Sequence, residues 1–418
     1  MFKFIHTADI HLDSPLRGLS AYEGAPVELL RGATRVAFRN LVDLAIREEV
    51  AFMVIAGDLY DGTWRDYQTG LFLVSEMARL RAVGIRAVIL YGNHDAESEI
   101  TSRLSLPDNV SIFRATRPQT FKFNEIKVAL HGQSFRTPAV TDNLIPGYPE
   151  PLAGWFNIGV LHTALEGNTE HANYAPCSIQ ELVAKGYDYW ALGHVHEYEM
   201  VSKDPWIVFP GNLQGRHARE LGPRGAVMVT VNDGHIQSVE RVFTDVLRWD
   251  HVTVDVSSAT TLEHATDLVR QGLTNAIESE KDGRSLAIRV TLAGQTRLHG
   301  ELFEDEPRFA ADVRALAVGS GGDRIWIEKV RIETSGLTEP GASHSDAIGE
   351  LETLLSEAAR DPALLATLQD QLSGMLNRLP PELRNAQTPE LSAIRDGRVA
   401  DIAEAMRPAV TAWLQNPR

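Results

Sequence analysis

A single cysteine, Cys177, stands among 418 residues, so an internal disulfide framework is excluded and a reducing compartment is expected. Nothing around Cys177 marks it as a nucleophile, and it reads as a small, half-buried packing residue. Long hydrophobic runs are missing as well. No window approaches the roughly 18 uninterrupted apolar residues of a membrane span, and Met1 leads into Phe2-Lys3-Phe4-Ile5 without a signal-peptide stretch or cleavage site. The expectation is a soluble, cytoplasmic protein without membrane contact. Repeats and low-complexity tracts are also lacking.

The third shortage is positive charge. Lys and Arg number 40 against 56 Asp and Glu, a net charge of −16. Residues 1–250 carry 23 against 30 and residues 251–418 carry 17 against 26, so neither part is basic. Affinity for a nucleic-acid backbone comes chiefly from Lys and Arg neutralising phosphates, so tight, unaided, non-specific DNA binding is disfavoured. Phosphoester chemistry is not disfavoured, because carboxylates that hold cations reverse the local sign of charge.

Hydrophobic residues make up 44% of the chain, whose length suits two or three domains. Up to about residue 245, short apolar runs alternate with helical patterns, which predicts an α/β layer. The strand candidates are Phe2–Thr7, Phe52–Ala56, Ala87–Tyr91, Lys127–His131, Asn157–Leu161, Tyr189–Leu192, Trp206–Phe209 and Ala226–Val231. Helical spacing of apolar residues covers Arg35–Glu48 and Thr69–Val83. Residues 246–334 read as strand Trp249–Val256, helix Thr260–Ser279, strand Ser285–Leu292, helix Pro307–Leu316 and strand Ile325–Ile332, a small α+β domain. A linker by composition, with Gly336, Pro340, Gly341 and Ser343, occupies 335–345. Residues 346–418 read as helical, with a start at Asp361-Pro362, leucines from Leu364 to Leu379 on one face, and a last helix at Val399–Leu414.

Polar residues cluster just past the strand candidates. Phe2–Thr7 leads to Asp9-Ile10-His11, where side chains two apart in extended backbone point to one side. Phe52–Ala56 ends in Gly57-Asp58-Leu59-Tyr60-Asp61, Ala87–Tyr91 in Gly92-Asn93-His94-Asp95, Asn157–Leu161 in His162, and Tyr189–Leu192 in Gly193-His194-Val195-His196. Open α/β sheets place ligands beyond the carboxyl ends of their strands, so these donors meet at one edge. Crowded carboxylates raise one another's pKa and lose hydration, which a bound cation relieves. Carboxylate, imidazole and amide without thiolate suit Mn²⁺ or Fe²⁺, with Mg²⁺ or Zn²⁺ as further choices. The glycines before the ligands fit tight turns that bring the backbone close.

This series of motifs resembles the calcineurin-like metallophosphoesterases. More narrowly, His6-Thr7-Ala8-Asp9-Ile10-His11-Leu12-Asp13-Ser14-Pro15 and Pro210-Gly211-Asn212-Leu213-Gln214-Gly215-Arg216 resemble bacterial DNA repair exonucleases of the SbcD and YhaO type. The resemblance implies a β-sandwich flanked by helices over residues 1–245, a capping domain over 246–334 and a partner-binding helical region over 346–418. It implies two divalent ions, Mn²⁺ foremost, one on Asp9, His11, Asp58 and His196 and the other on Asp58, Asn93, His162 and His194. The implied reaction is hydrolysis of DNA phosphodiesters, exonucleolytic and with endonuclease action also in view, by a two-metal mechanism. His94 would donate a proton or hydrogen bond to the leaving oxygen, and Asp61 would orient His94. Implied partners are DNA and an SMC-like coiled-coil ATPase, and homodimers occur in the resembled family.

Several residues keep plainer readings. His6, His131, His171 and His217 have no motif behind them and read as ordinary hydrogen-bonded or solvated histidines. Asp95 reads as a helix cap or turn residue. Arg216, Arg219 and Arg224 are candidates to grip DNA phosphates, with surface charge as the other reading. Two rival functions stay open: a metallophosphatase or phosphodiesterase for small substrates, and a non-catalytic scaffold with the same fold.

Overall fold

The computed structural model describes residues 1–14, 27–61, 67–97, 105–165, 174–336, 353–354, 356–376, 389–404, 406 and 410. Two compact units divide the chain: Met1–Asp250 with Asp282–Ala287, and His251–Lys281 with Ile288–Arg418.

The first unit is a pair of six-stranded sheets. In chain order the strands are β1 (Phe2–Thr7), β2 (Phe52–Ala56), β3 (Arg86–Leu90), β4 (Val110–Ile112), β5 (Gln119–Phe123), β6 (Val128–Gly132), β7 (Phe156–His162), β8 (Tyr189–Gly193), β9 (Tyr198–Lys203), β10 (Trp206–Pro210), β11 (Gly225–Asn232) and β12 (His235–Phe243). One sheet runs β12-β11-β1-β2-β3-β4 and the other β5-β6-β7-β8-β10-β9. β1 to β4 are mutually parallel, as are β6, β7, β8 and β10, while the flanking strands are antiparallel. The central strands of both parallel sets are buried on two faces and therefore read as continuous apolar runs; β2, β6, β7 and β8 are buried at every residue.

The sheets pack face to face. Phe4, Phe52, Val54, Val88 and Leu90 of one meet Val128, Phe156, Ile158, Val160, Tyr189 and Val208 of the other in a single apolar cluster. The rings of Phe4 and Phe52 stack at 5.0 Å between centroids, with Tyr189 edge-on to Phe4 at 5.4 Å. Helices α1 (Val27–Arg47) and α2 (Tyr67–Ala82) cover the outer face of the first sheet through Phe38, Leu41, Leu73, Met77 and Leu80. Helix α3 (Asn93–Glu97) is a single turn after β3, and α4 (Ile179–Ala184) adds Leu182 to the cluster outside the second sheet. Ser178 begins α4 with a reciprocal capping box to Glu181.

The second unit holds a three-stranded sheet, β13 (Leu247–Asp255), β14 (Ser285–Gln295) and β15 (Ile325–Ser335), with β13 starting in the first unit. Helices α5 (Leu262–Ser279), α6 (His299–Glu304) and α7 (Glu306–Gly321) accompany it. Arg289 and Glu328 form a bidentate ion pair across β14 and β15 at 2.8 Å. The unit boundary falls at Asp250 rather than 245, and 282–287 belongs with the first unit, where Arg248 Nη2 reaches Asp282 at 2.7 Å. The described residues of 346–418 are grouped with the second unit. Of them, α8 (Pro362–Leu376) starts on the side chain of Asp361, which accepts from the N–H groups of Ala363 and Leu364, and α9 (Pro389–Arg395) follows. Leu379, most of the expected linker and half of the last expected helix lie outside the described residues.

The structure therefore has a mixed α/β fold. Among the described residues no helix is long and apolar enough to cross a membrane. The ring of Phe52 lies wholly buried at the centre of the sandwich. A Phe52→Ala variant is expected to lose about 3–5 kcal/mol of stability in urea unfolding, and a loss under about 1 kcal/mol would mean that the sheets do not pack through this ring.

Candidate metal centre

The loops after β1, β2, β3, β7 and β8 converge at one edge of the sandwich, each delivering side chains that donate electron pairs. Three groups have ligand atoms within 4.8 Å of one another: Asp9, His11 and His196; His11, Asp58 and His94; and Asp58, His162 and His194. The first and third correspond to the two ligand sets expected from the sequence, and Asn93 joins the third with Oδ1 3.0 Å from His162 Nε2. His94, expected off the metal, sits within reach of His11 and Asp58.

The backbone needed for this convergence is unusual. Asp9, His11, Asp58 and His194 have φ of 50°, 47°, 51° and 98°, the left-handed region that non-glycine residues rarely occupy. Such conformations cost about 1–3 kcal/mol each and persist where the surroundings enforce them, commonly at functional sites. Here the loops brace each other. Asp9 N–H donates to Gly57 O, His11 N–H to Asp58 O and Leu12 N–H to Leu59 O, so the β1 and β2 loops stay paired past the strand ends. Asp95, buried and expected as a turn residue, accepts from the N–H groups of Leu59, Tyr60 and Gly92 and ties the β2 loop to the β3 loop. Gly57 has φ +104°, and a Cβ there would lie 2.3 Å from His162 Nδ1; one on Gly92 would lie 2.4 Å from Asp58 Oδ1. No larger residue leaves room for these ligands.

Electrostatically the centre is short of positive charge. Asp9 and Asp58 are both 1% exposed. Burial pushes the Asp9 carboxyl above its ordinary value, against the pull of His196 and His162. Burial would do the same to Asp58, but the imidazole of His162 beside it brings its carboxyl well below the carboxylate range. His162 responds in kind: burial disfavours its cation, yet Asp58 and the carbonyl of Ala56 raise it to about 9. His11 is held down to about 3 by burial and by the Arg216 guanidinium, so it is neutral.

The donor set fits divalent cations. His11 Nε2 and His196 Nε2 face each other at 3.4 Å, while Asp58 Oδ2 lies 3.9 Å from His11 Nε2 and 3.4 Å from His162 Nε2. His11 Nδ1 is buried without a hydrogen bond among the described residues, 3.6 Å from Asp61 Oδ1. Lone pairs outnumber protons, and the proton on His162 occupies the direction in which an ion would bind.

At the open side His94 is 40% exposed, with Nδ1 3.3 Å from Asp61 Oδ1, and the hydroxyl of Ser14 donates to Asp61 Oδ2 at 2.6 Å. Arg216 is half-buried, its Nη2 3.2 Å from His196 Nδ1. Arg219 lies exposed in the same loop. Arg224 departs from the expectation of a DNA contact: it is 3% exposed, donates to the carbonyls of His196 and Leu221 and pairs with Glu197, so it is an internal strut. His6 and His131 make buried hydrogen bonds inside the sandwich, to Tyr189 and Leu192 and to Thr120 and Asn157. His171 lies outside the described residues, and His217 is exposed beside Glu220. Three contributors were not singled out from sequence: Glu220, hydrogen-bonded to His196 at 2.8 Å, and the rings of Phe135 and Tyr174, edge-on to His162 and His194. Only the proximity of Glu220 to the Pro210–Arg216 motif hinted at any of them.

Ion binding must displace the His162 proton, so Mn²⁺ affinity at that position is expected to rise about tenfold per pH unit between about pH 6 and about pH 8 and to level off near its pKa of about 9. Calorimetric titration of the metal-free protein measures it, and a flat dependence would remove His162 from the ligand set. Asp58→Asn is expected to lower both affinities, since Asp58 belongs to two of the three groups.

Residues 2–198 match the calcineurin-like phosphoesterase family and residues 249–335 the middle domain of the metallophosphoesterase YhaO. The uncharacterized metallophosphoesterase YhaO of Bacillus subtilis (strain 168) is 34% identical over 295 residues, 70% of this chain and 71% of that protein. Among solved structures, TT1561 of Thermus thermophilus is 12% identical over 58% of this chain and 99% of its own, with a TM-score of 0.36. A dimetal phosphatase from Danio rerio is 13% identical over 58% and 97%, also with a TM-score of 0.36.

Proposed function

Since the chain belongs to the calcineurin-like metallophosphoesterases, with a relative 34% identical over most of both chains, we propose that it is a DNA nuclease, hydrolysing phosphodiesters exonucleolytically with two divalent ions, Mn²⁺ foremost. The observation that carries the reading is the position of Asp58 between two sets of imidazoles at one sheet edge, with His94 half-exposed beside it. DNA as substrate is supported by the likeness of residues 6–15 and 210–216 to repair exonucleases. The second of these segments borders the centre through Arg216.

Ions held by Asp9, His11, Asp58 and His196, and by Asp58, Asn93, His162 and His194, would supply Lewis acidity and an activated water. The chain's own part is positioning and proton transfer. Asp61 Oδ1 lies 3.3 Å from His94 Nδ1 and Asp61 is itself fixed by Ser14, an arrangement that would leave His94 Nε2 to donate to the leaving oxygen. Arg216 adds a fixed positive charge next to His196 for a phosphate oxygen. Because the chain is acidic overall, we assign DNA affinity in part to a partner, an SMC-like coiled-coil ATPase docking on the helices beyond residue 346, where Leu354 and Leu364 are exposed. A homodimer and a cytoplasmic location belong to the same proposal.

The same acidity favours the rival, hydrolysis of small phosphoesters, for which no basic surface is needed. End-labelled duplex DNA with Mn²⁺, with and without EDTA, separates the two. Wild type is expected to shorten the DNA only with metal, and His94→Gln to lower kcat by about 10²–10⁴-fold with metal content unchanged. Intact DNA alongside hydrolysis of bis(p-nitrophenyl) phosphate would leave the small-substrate enzyme standing.

A further inference from the structure

We infer that Glu220 is a positioning residue of the metal centre: its carboxylate fixes the tautomer of His196 so that Nε2 keeps a free lone pair for an ion. The inference rests on the metallophosphoesterase reading and concerns one ligand of its centre.

Glu220 is 5% exposed, and both oxygens are engaged. Oε2 accepts from Asn212 Nδ2 at 2.8 Å and from the Arg216 N–H at 2.6 Å. Oε1 lies 2.8 Å from His196 Nδ1. An ionised carboxylate only accepts, so a lone pair on Nδ1 at that distance would repel it, and the ring proton must sit on Nδ1. Nε2 then carries no proton and faces His11 Nε2 at 3.4 Å. Arg216 Nη2, which can only donate, competes for Nδ1 at 3.2 Å, but the carboxylate contact at 2.8 Å is the shorter and Oε1 also takes up the guanidinium charge at 3.5 Å. Backbone contacts hold the same ligand from the other side: His196 O accepts from the Asn212 N–H at 3.1 Å and from Arg224 Nη1 at 2.6 Å.

His162 provides the contrast. Its Nδ1 donates to the neutral carbonyl of Ala56 at 3.0 Å. A carboxylate behind an imidazole raises its basicity and locks its ring, and loss of such a partner typically weakens metal binding about 10–100-fold. The loop after β10 thus serves one ligand set and not the other.

Glu220→Gln is the informative change because it keeps the shape. The single amide oxygen would face the two donors, Asn212 and the Arg216 N–H, which turns the amide NH₂ toward His196 Nδ1. That NH₂ donates to Nδ1 and drives the ring proton onto Nε2, where it blocks the ion. In ¹⁵N spectra of the metal-free, histidine-labelled protein, with His196→Gln for assignment, wild type is expected to show the Nδ1–H tautomer and Glu220→Gln the reverse. Titration with Mn²⁺ alone should show one of the two dissociation constants weakened about 10–100-fold and the other within about twofold. An Nε2–H tautomer in wild type overturns the inference without any variant. So do unchanged affinities in a folded Glu220→Gln protein, which leave the phosphoesterase reading intact. Wild type that binds no Mn²⁺ overturns both.

Discussion

A carboxylate that is 1% exposed keeps its charge only if positive or hydrogen-bond-donating groups meet it, and Asp58 has the His162 imidazolium beside it and accepts from the His94 backbone N–H at 3.0 Å. The remaining arrangement of the first unit follows from that requirement. Imidazoles can approach one carboxylate from several directions only if several strands end together, which two parallel-centred sheets packed face to face provide. Their loops must also turn back sharply, which puts four donors in left-handed backbone. The strain is carried by ladder-like hydrogen bonds between the β1 and β2 loops and by the three backbone donors converging on Asp95. Metal ions are the species that satisfy all of the donors at once.

The core strands were legible because a strand buried on both faces reads as an unbroken apolar run, as in Phe-Met-Val-Ile-Ala of β2. β9 and β12 were not, because they are partly exposed and edge the sheets, and Tyr-Glu-Met-Val-Ser-Lys has no such run. β5 and α4 escaped for a similar reason, being short and mixed in polarity. Helix α1 begins at Val27, eight residues ahead of the expected Arg35, because its first turns lack a clear apolar stripe.

At the centre, each expected metal ligand ends or follows a strand and all but His162 belong to a compact motif, so sequence order alone brought them to attention. Glu220 lies 24 residues from His196, and their hydrogen bond exists only because the loop after β10 folds back. Arg224 illustrates the opposite error. An arginine in a glycine-containing loop reads as surface charge, yet its guanidinium is surrounded by carbonyls, a fact set by tertiary packing alone. The division of the chain was blurred for a related reason: β13 begins in one unit and ends in the other, so no change in composition marks the boundary.

The left-handed backbone at Asp9 and Asp58 also bears on how this lineage can change. Of the side chains other than glycine, aspartate and asparagine tolerate that conformation best, because their short polar groups bond locally. One base separates an aspartate codon from an asparagine codon. The most accessible substitution at these positions therefore preserves the loop while removing the negative charge that attracts cations. Descendants of such a chain can lose chemistry without losing shape, and an intact fold among relatives is a poor guide to which of them still hydrolyse phosphoesters.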